Sequence, residues 1–466
     1  MRKFAAFFLA AAALPVAAQS IDWDKVNAEA LHHLQALVQI DSSTGHEIRV
    51  DQYVQKVLDA EGIPSKIVYR DPERGNLIAR IKGNGSKRPL LILGHSDTVK
   101  VDAEKWKIAG PFSGAILDGY VYGRGVVDDK SDLFAAMMTT ILLKRTGIKL
   151  DRDVIFVTEA GEEGASNFGI GYLISEHWPE IEAEVALAEA GGVVRRNGKP
   201  VFAEIETTEK VGRGAKLVAT GISGHGSRPM RTNSILHLSE AVTKVALWDP
   251  PMRFNDTTRT YFEKLAQLSP PADAQRFRDL FDPQKSAAAR EYLAVHEPTL
   301  YSMLHTSISP NIIQGGFQTN VIPSEATATL DIRALPDENI PAFYDLMRKV
   351  IDDPAVQVVP SGRGGGAERP IPPPSSITSE TYHQLEAAFE KVYHVPVLPM
   401  MQTGATDMAQ LRARGVQCYG VGASTDEEDG PKGFGVHSDQ ERLLVDSAYK
   451  HLQLWWTAVT SIAGAK

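Results

Sequence analysis

The sequence predicts an α/β fold whose mostly parallel sheet is interrupted by an inserted α+β domain. Three observations lead there. Short, continuous apolar runs recur, at Leu90–Leu91–Ile92–Leu93, Val154–Ile155–Phe156–Val157 and Val185–Ala186–Leu187–Ala188. Runs of this length without alternation suit strands buried on both faces. Helical patterns at residues 131–145 and 168–176 separate them, and strands alternating with helices are the mark of α/β architecture. Residues 210–222 and 326–334 instead alternate apolar and polar positions, as in an antiparallel sheet with one exposed face.

In chain order, Met1–Arg2–Lys3 is a short positive segment. An uncharged apolar run from Phe4 to Leu14 follows, then small residues, Val16–Ala17–Ala18, ahead of Gln19. That is the grammar of a secretory signal peptide over residues 1–18, and the run is too short to cross a bilayer. The expectation is an exported protein, periplasmic or secreted, with no stable membrane span after cleavage. The first part of the main domain then covers 19–209 and the inserted domain 210–360. A Gly- and Pro-rich stretch, 361–375, reads as a linker opening the second part, 361–466. There the α/β pattern returns with a strand at 416–421 and a helix at 443–462.

Composition narrows the function. The 466 residues are 43 % hydrophobic and 23 % charged, which excludes a disordered chain and a polytopic membrane protein. With 49 Lys and Arg against 58 Asp and Glu, the formal charge is -9. No basic run is present, so no nucleic-acid partner is expected. The single cysteine, Cys418, allows no intramolecular disulfide and sits in an apolar strand, where it reads as core. The glycine-rich 362–367 runs into prolines rather than a helix, so it is a hinge and not a phosphate cradle. The 192–199 stretch misses P-loop spacing, and no Gly-x-Ser-x-Gly elbow exists.

The acids and histidines carry the chemistry. The run at 90–93 leads into Gly94–His95–Ser96–Asp97, that at 154–157 toward Gly161–Glu162–Glu163, and that at 185–188 into Glu189. Sites in open parallel sheets form beyond the carboxyl ends of strands, so these residues should meet. Between them, 122–130 is a glycine-flexed loop that delivers Asp128 and Asp129 just before a helix. So many carboxylates in one place repel unless a cation is present. Imidazole and carboxylate without thiolate suit zinc in a hydrolytic site, or cobalt or manganese.

These motifs, with the late Val436–His437–Ser438–Asp439–Gln440–Glu441, resemble in order those of the M20 family of dinuclear zinc metallopeptidases and amidohydrolases. The branch holding carboxypeptidase S and the N-acyl-amino-acid hydrolases is the most similar. The resemblance implies a zinc-hydrolase catalytic domain with the insertion as a lid and dimerisation domain. It implies two Zn²⁺ per chain, with Co²⁺ or Mn²⁺ as substitutes. Asp128 would bridge the ions, with His95 and Glu189 completing one site, and Glu163 and His437 the other. Asp97 would hold the second ring nitrogen of His95. Glu162 would be the general base, working on a metal-bridging hydroxide, and the Asp128–Asp129 peptide would be cis. In the lid, Arg333 would grip a substrate carboxylate and His225 would stabilise the oxyanion. Asn320, Thr403 and Gly404 would line the pocket. The expected substrate is a short peptide or N-acyl amino acid with a free carboxylate beside the cleaved amide. The alternatives are an aminoacylase or dipeptidase in place of a carboxypeptidase, and, from another class, a non-catalytic metal- or peptide-binding protein. A second copy of the chain could join through the lid.

Overall fold

A computed structural model describes residues 21–43, 45–361 and 369–465. The signal segment 1–18 and the glycine stretch 362–367 lie outside the described residues.

A ten-stranded sheet forms the larger part. Its order is Ser65–Asp71, Arg74–Ile81, Val154–Glu159, Leu90–His95, Val185–Ala188, Gln417–Gly420, Lys199–Glu209, Gly192–Arg196 and Ser424–Asp426, with Val397–Gln402 also paired to Lys199–Glu209. The apolar runs at its centre pair in parallel: Leu90–His95 with both Val154–Glu159 and Val185–Ala188, and Gln417–Gly420 with Val185–Ala188. The flanks depart from the mostly parallel sheet expected. Ser65–Asp71 and Arg74–Ile81 form an antiparallel hairpin, as do Gly192–Arg196 and Lys199–Glu209. The second turns at Asn197–Gly198, both with positive φ (51° and 73°), the Asn-Gly signal of a two-residue hairpin. The sheet is therefore mixed: buried central strands run parallel, and hairpins close its sides.

The Lys130–Thr146 helix is buried over most of its length against this sheet and the Trp23–Gln39 and Val445–Ala463 helices. It lies so close to Leu90–His95 that a Cβ on Gly94 would sit 2.7 Å from the Leu133 nitrogen. That approach sets the spacing between His95 on the strand and the acids at the helix start.

A second, four-stranded sheet runs Ser307–Gly315, Glu325–Ala334, Val211–Thr220, Val356–Ser361, antiparallel throughout. Glu325–Ala334 alternates buried and partly exposed residues. Helices Ser234–Ala246 and Ile340–Ile351 complete its core with Leu217, Leu330, Ile332, Phe343 and Met347. The chain between these elements takes another side. From Asp256–Leu268 to Pro298–Ser302 the helices bury Phe262, Phe277 and Leu293 with Phe202, Leu398 and Met401 of the large sheet. The stretch read as one insertion thus contributes to two cores. No described helix is long and apolar enough to cross a membrane.

Candidate metal and catalytic centre

The carboxyl ends of the central strands meet as expected. His95 closes its strand, Glu189 follows Val185–Ala188, and Glu162 and Glu163 follow Val154–Glu159. Asp128 lies between two histidines. Its Oδ1 is 2.9 Å from His95 Nε2 and its Oδ2 is 3.1 Å from His437 Nε2. Glu163 Oε1 is 2.9 Å from the same His437 nitrogen, and Glu189 Oε2 is 3.8 Å from His95 Nε2. Donor atoms of His95, Glu162 and Glu189, and of His95, Asp128 and Glu163, lie within 4.8 Å of one another in each group. The Asp128–Asp129 peptide is cis.

Backbone-directed carboxylates hold this arrangement. Glu441 accepts from the amides of Gly125 (2.9 Å), Val127 (2.9 Å) and Asp128 (3.1 Å) and from Arg124 Nη1 (2.8 Å), so one buried side chain shapes the loop that carries Asp128. Asp129 Oδ2 accepts from the His95 amide at 3.0 Å. Asp97 faces the second ring nitrogen of His95, as expected, and shares it with its own backbone. The His95 Nδ1 partner is its backbone carbonyl at 3.0 Å, with the carboxylate 3.6 Å away. That carboxylate also accepts from the amides of Glu162 (3.1 Å) and Glu163 (3.2 Å). Two adjacent N–H groups thus tie the Asp97 carboxylate to the loop that carries Glu162 and Glu163.

Burial raises the proton affinity of Glu162, Glu189, Glu159 and Asp129, and neighbouring acids raise it further: Asp407 for Glu162 and Glu159, Glu162 for Glu189, and Asp132 for Asp129. Burial would raise Asp128 too, but hydrogen bonds from His437 and His95 hold it well below the usual carboxylate range. The hydrogen bonds to Asp128 and Glu163 push His437 up to about 10. A crowd of buried acids that borrows protons and imidazolium charge is chemically fitted to cations. The nitrogen and oxygen donors, with no sulfur among them, fit zinc or a similar divalent ion.

The pattern of motifs did not point to Glu159, Asp407 or Arg369. Arg369 Nη2 is 3.5 Å from Glu162 Oε1 and 3.5 Å from Asp407 Oδ1. Arg369 stands between a glycine stretch and a proline stretch and Asp407 in a loop, where no periodicity marks a site. The other expected residues sit on the small sheet, on a short strand pair and after a strand of the large sheet. His225 pairs with Val321, is exposed, and accepts from the Ser227 amide and hydroxyl through Nδ1. Asn320 lies beside it, its carbonyl accepting from the Gly226 amide at 2.8 Å. Arg333, on Glu325–Ala334, faces Gly212 and Ser307 across the small sheet, and its Nε donates to Asp331 at 3.2 Å. Thr403 and Gly404 follow the Val397–Gln402 strand, partly exposed.

Residues 91–461 match peptidase family M20/M25/M40. The chain belongs to this family. The protein named "Probable carboxypeptidase S-like 2" of Dictyostelium discoideum is 29 % identical over 347 residues, 71 % of this chain and 64 % of that one. The match thus spans under two thirds of that relative. N-fatty-acyl-amino acid synthase/hydrolase PM20D1 of Xenopus tropicalis is 27 % identical over 366 residues, 76 % of this chain and 69 % of the relative. Among solved structures, an M20 metallo-carboxypeptidase of Sulfolobus solfataricus superposes with a TM-score of 0.67 at 19 % identity, covering 93 % of this chain and 99 % of that one. Human carnosine dipeptidase 1 gives 0.65 at 15 %, covering 94 % and 97 %. At these identities the superpositions establish the M20 fold.

Proposed function

We propose that this M20 hydrolase is an exported, dinuclear zinc carboxypeptidase that cleaves the amide bond next to a free carboxylate. The observation that carries the reading is Asp128, whose two oxygens face two histidines on opposite sides. His95 and Glu189 would complete one ion's set with Asp128, and His437 and Glu163 the other's. Zinc bound there supplies Lewis-acid activation of water and polarises the scissile carbonyl. Glu162 takes the proton of the attacking water on a carboxylate oxygen and returns it to the leaving nitrogen.

The deciding measurement pairs metal analysis with turnover. Glu162→Gln keeps both ions and loses most activity, since an amide cannot accept the proton. His437→Ala loses metal instead. One ion or none in active protein, or near-normal turnover in Glu162→Gln, refutes the reading.

Arg333 supplies the carboxylate fork. His225 and Asn320 in the inserted lid, with Thr403 and Gly404, contact the substrate around the scissile carbonyl. The native enzyme then hydrolyses a free-acid peptide much faster than its C-terminal amide, and Arg333→Ala erases the difference while both metals stay bound. Equal rates on the two native substrates would point to an aminopeptidase instead. The PM20D1 relative favours a second reading, an aminoacylase acting on N-acyl amino acids, and a panel of both substrate classes chooses between them. Sequencing the mature N-terminus tests export through the 1–18 signal. The edge strand Ser307–Gly315, with Ile312 and Ile313 exposed, is where a second copy would join, and sedimentation reads that directly.

A further inference from the structure

Arg369 contacts three separate parts of the molecule. Its Nη1 donates to the Thr406 carbonyl at 2.8 Å. Its Nη2 stands 3.5 Å from both Glu162 and Asp407. Its own carbonyl accepts from Arg213 Nη2 at 2.9 Å, and Arg213 belongs to the Val211–Thr220 strand of the small sheet. Asp407 is 2 % exposed, and neither of its carboxylate oxygens accepts a hydrogen bond among the described residues. A buried carboxylate without donors is costly unless a cation faces it. The guanidinium does so, and the Thr406 carbonyl fixes its plane. Arg369 is thus a held charge beside Glu162, itself held from the far side by the small sheet.

We propose that Arg369 is a positioning residue for Glu162, anchored by Asp407 and Thr406 so that the base's carboxylate stays within reach of His95 and Glu189. The proposal rests on Glu162 being the base. A glutamate has three torsions before its carboxylate, and the last is broad. A base must lie within hydrogen-bond reach of the proton it moves. The guanidinium gives this carboxylate a fixed, charged donor, with Nη2 3.5 Å from Glu162 Oε1.

The test uses the metal-loaded full chain with Arg369→Met and Arg369→Lys, each also combined with Glu162→Gln. For Arg369→Met the expected loss in kcat is on the order of 10²-fold, the scale of an ångström-level misplacement of a reacting group. KM and metal content should be unchanged. Arg369→Lys should recover part of kcat, since it restores the charge without the fork. In the Glu162→Gln background, Arg369→Met should cost nothing more, because the group it acts through is gone. Four results overturn the proposal: unchanged kcat; a raised KM with kcat kept, which makes Arg369 a substrate contact; losses that add in the double variant; and equal loss of metal in the Met and Lys variants, which reduces the role to folding. Full turnover in Glu162→Gln alone would remove the base reading instead, and is read separately.

Discussion

Asp51 shows how far a single buried acid can tune this molecule away from its centre. It lies on the Ile48–Ala60 helix, fully buried, bonded to the Thr158 hydroxyl on the strand that leads to Glu162 and Glu163. Burial pushes its carboxyl from 3.8 up to about 8. Between those values the native state keeps a proton that the unfolded chain has lost. Stability from this site is therefore complete below pH 4 and falls as pH rises to about 8, by at most about 1.4 kcal/mol per unit. Asp51→Asn removes the ionisation, so urea denaturation of the variant against the native protein should show the gap between them change over that window and level off above it. A gap independent of pH would mean that Asp51 is charged in the fold. Nothing in the sequence marked Asp51 for this, since one acid in an amphipathic helix reads as solvated until the strand above it is known. His95, Glu162 and Glu189 were legible because each follows an apolar run.

At the scale of elements, the informative unit is the loop from Gly123 to Asp129. Its composition suggested a site, but its shape is set by Glu441, far along the chain, through three amides and Arg124. Such a partner is invisible to local pattern, whereas the loop's own glycines and acids are not. Glu441→Gln replaces one acceptor oxygen by a donor facing other donors. The expected outcome is a fold with native circular dichroism and a metal affinity weakened about 10–100-fold, the usual cost of losing a ligand's supporting partner, read by competition with a chelator. Native affinity would show that the loop holds itself. The strands at 210–222 and 326–334 were likewise legible from alternation, while the bounds 210–360 placed the whole stretch, with the helices from Asp256 to Ser302, in one inserted domain. Their apolar faces carry Phe262 and Leu293, and periodicity alone does not say which sheet receives them.

For the whole molecule, the acids gathered at the strand ends predict a native state that is stabilised by bound divalent ions. Ligands bound by the folded state alone stabilise it by mass action, by about 2.7 kcal/mol at a hundredfold excess over Kd. Chelation should therefore lower Tm as well as abolish activity, and added zinc should restore both. An unchanged Tm in metal-free protein would mean that the mutual repulsion of Asp129, Glu159, Glu162 and Glu189 is met by bound protons instead. The parallel pairing of Gln417–Gly420 with Val185–Ala188 has a consequence in time. Nearly half the chain lies between the two strands, so the middle of the large sheet stays open until almost the last residues arrive. Closing so long a loop earns no contacts until it is complete, and topologies of this kind fold slowly. During that wait the edge of Val185–Ala188 is exposed, apolar and unpaired, and a shortened chain ending before Gln417 would carry it permanently, as a template for aggregation.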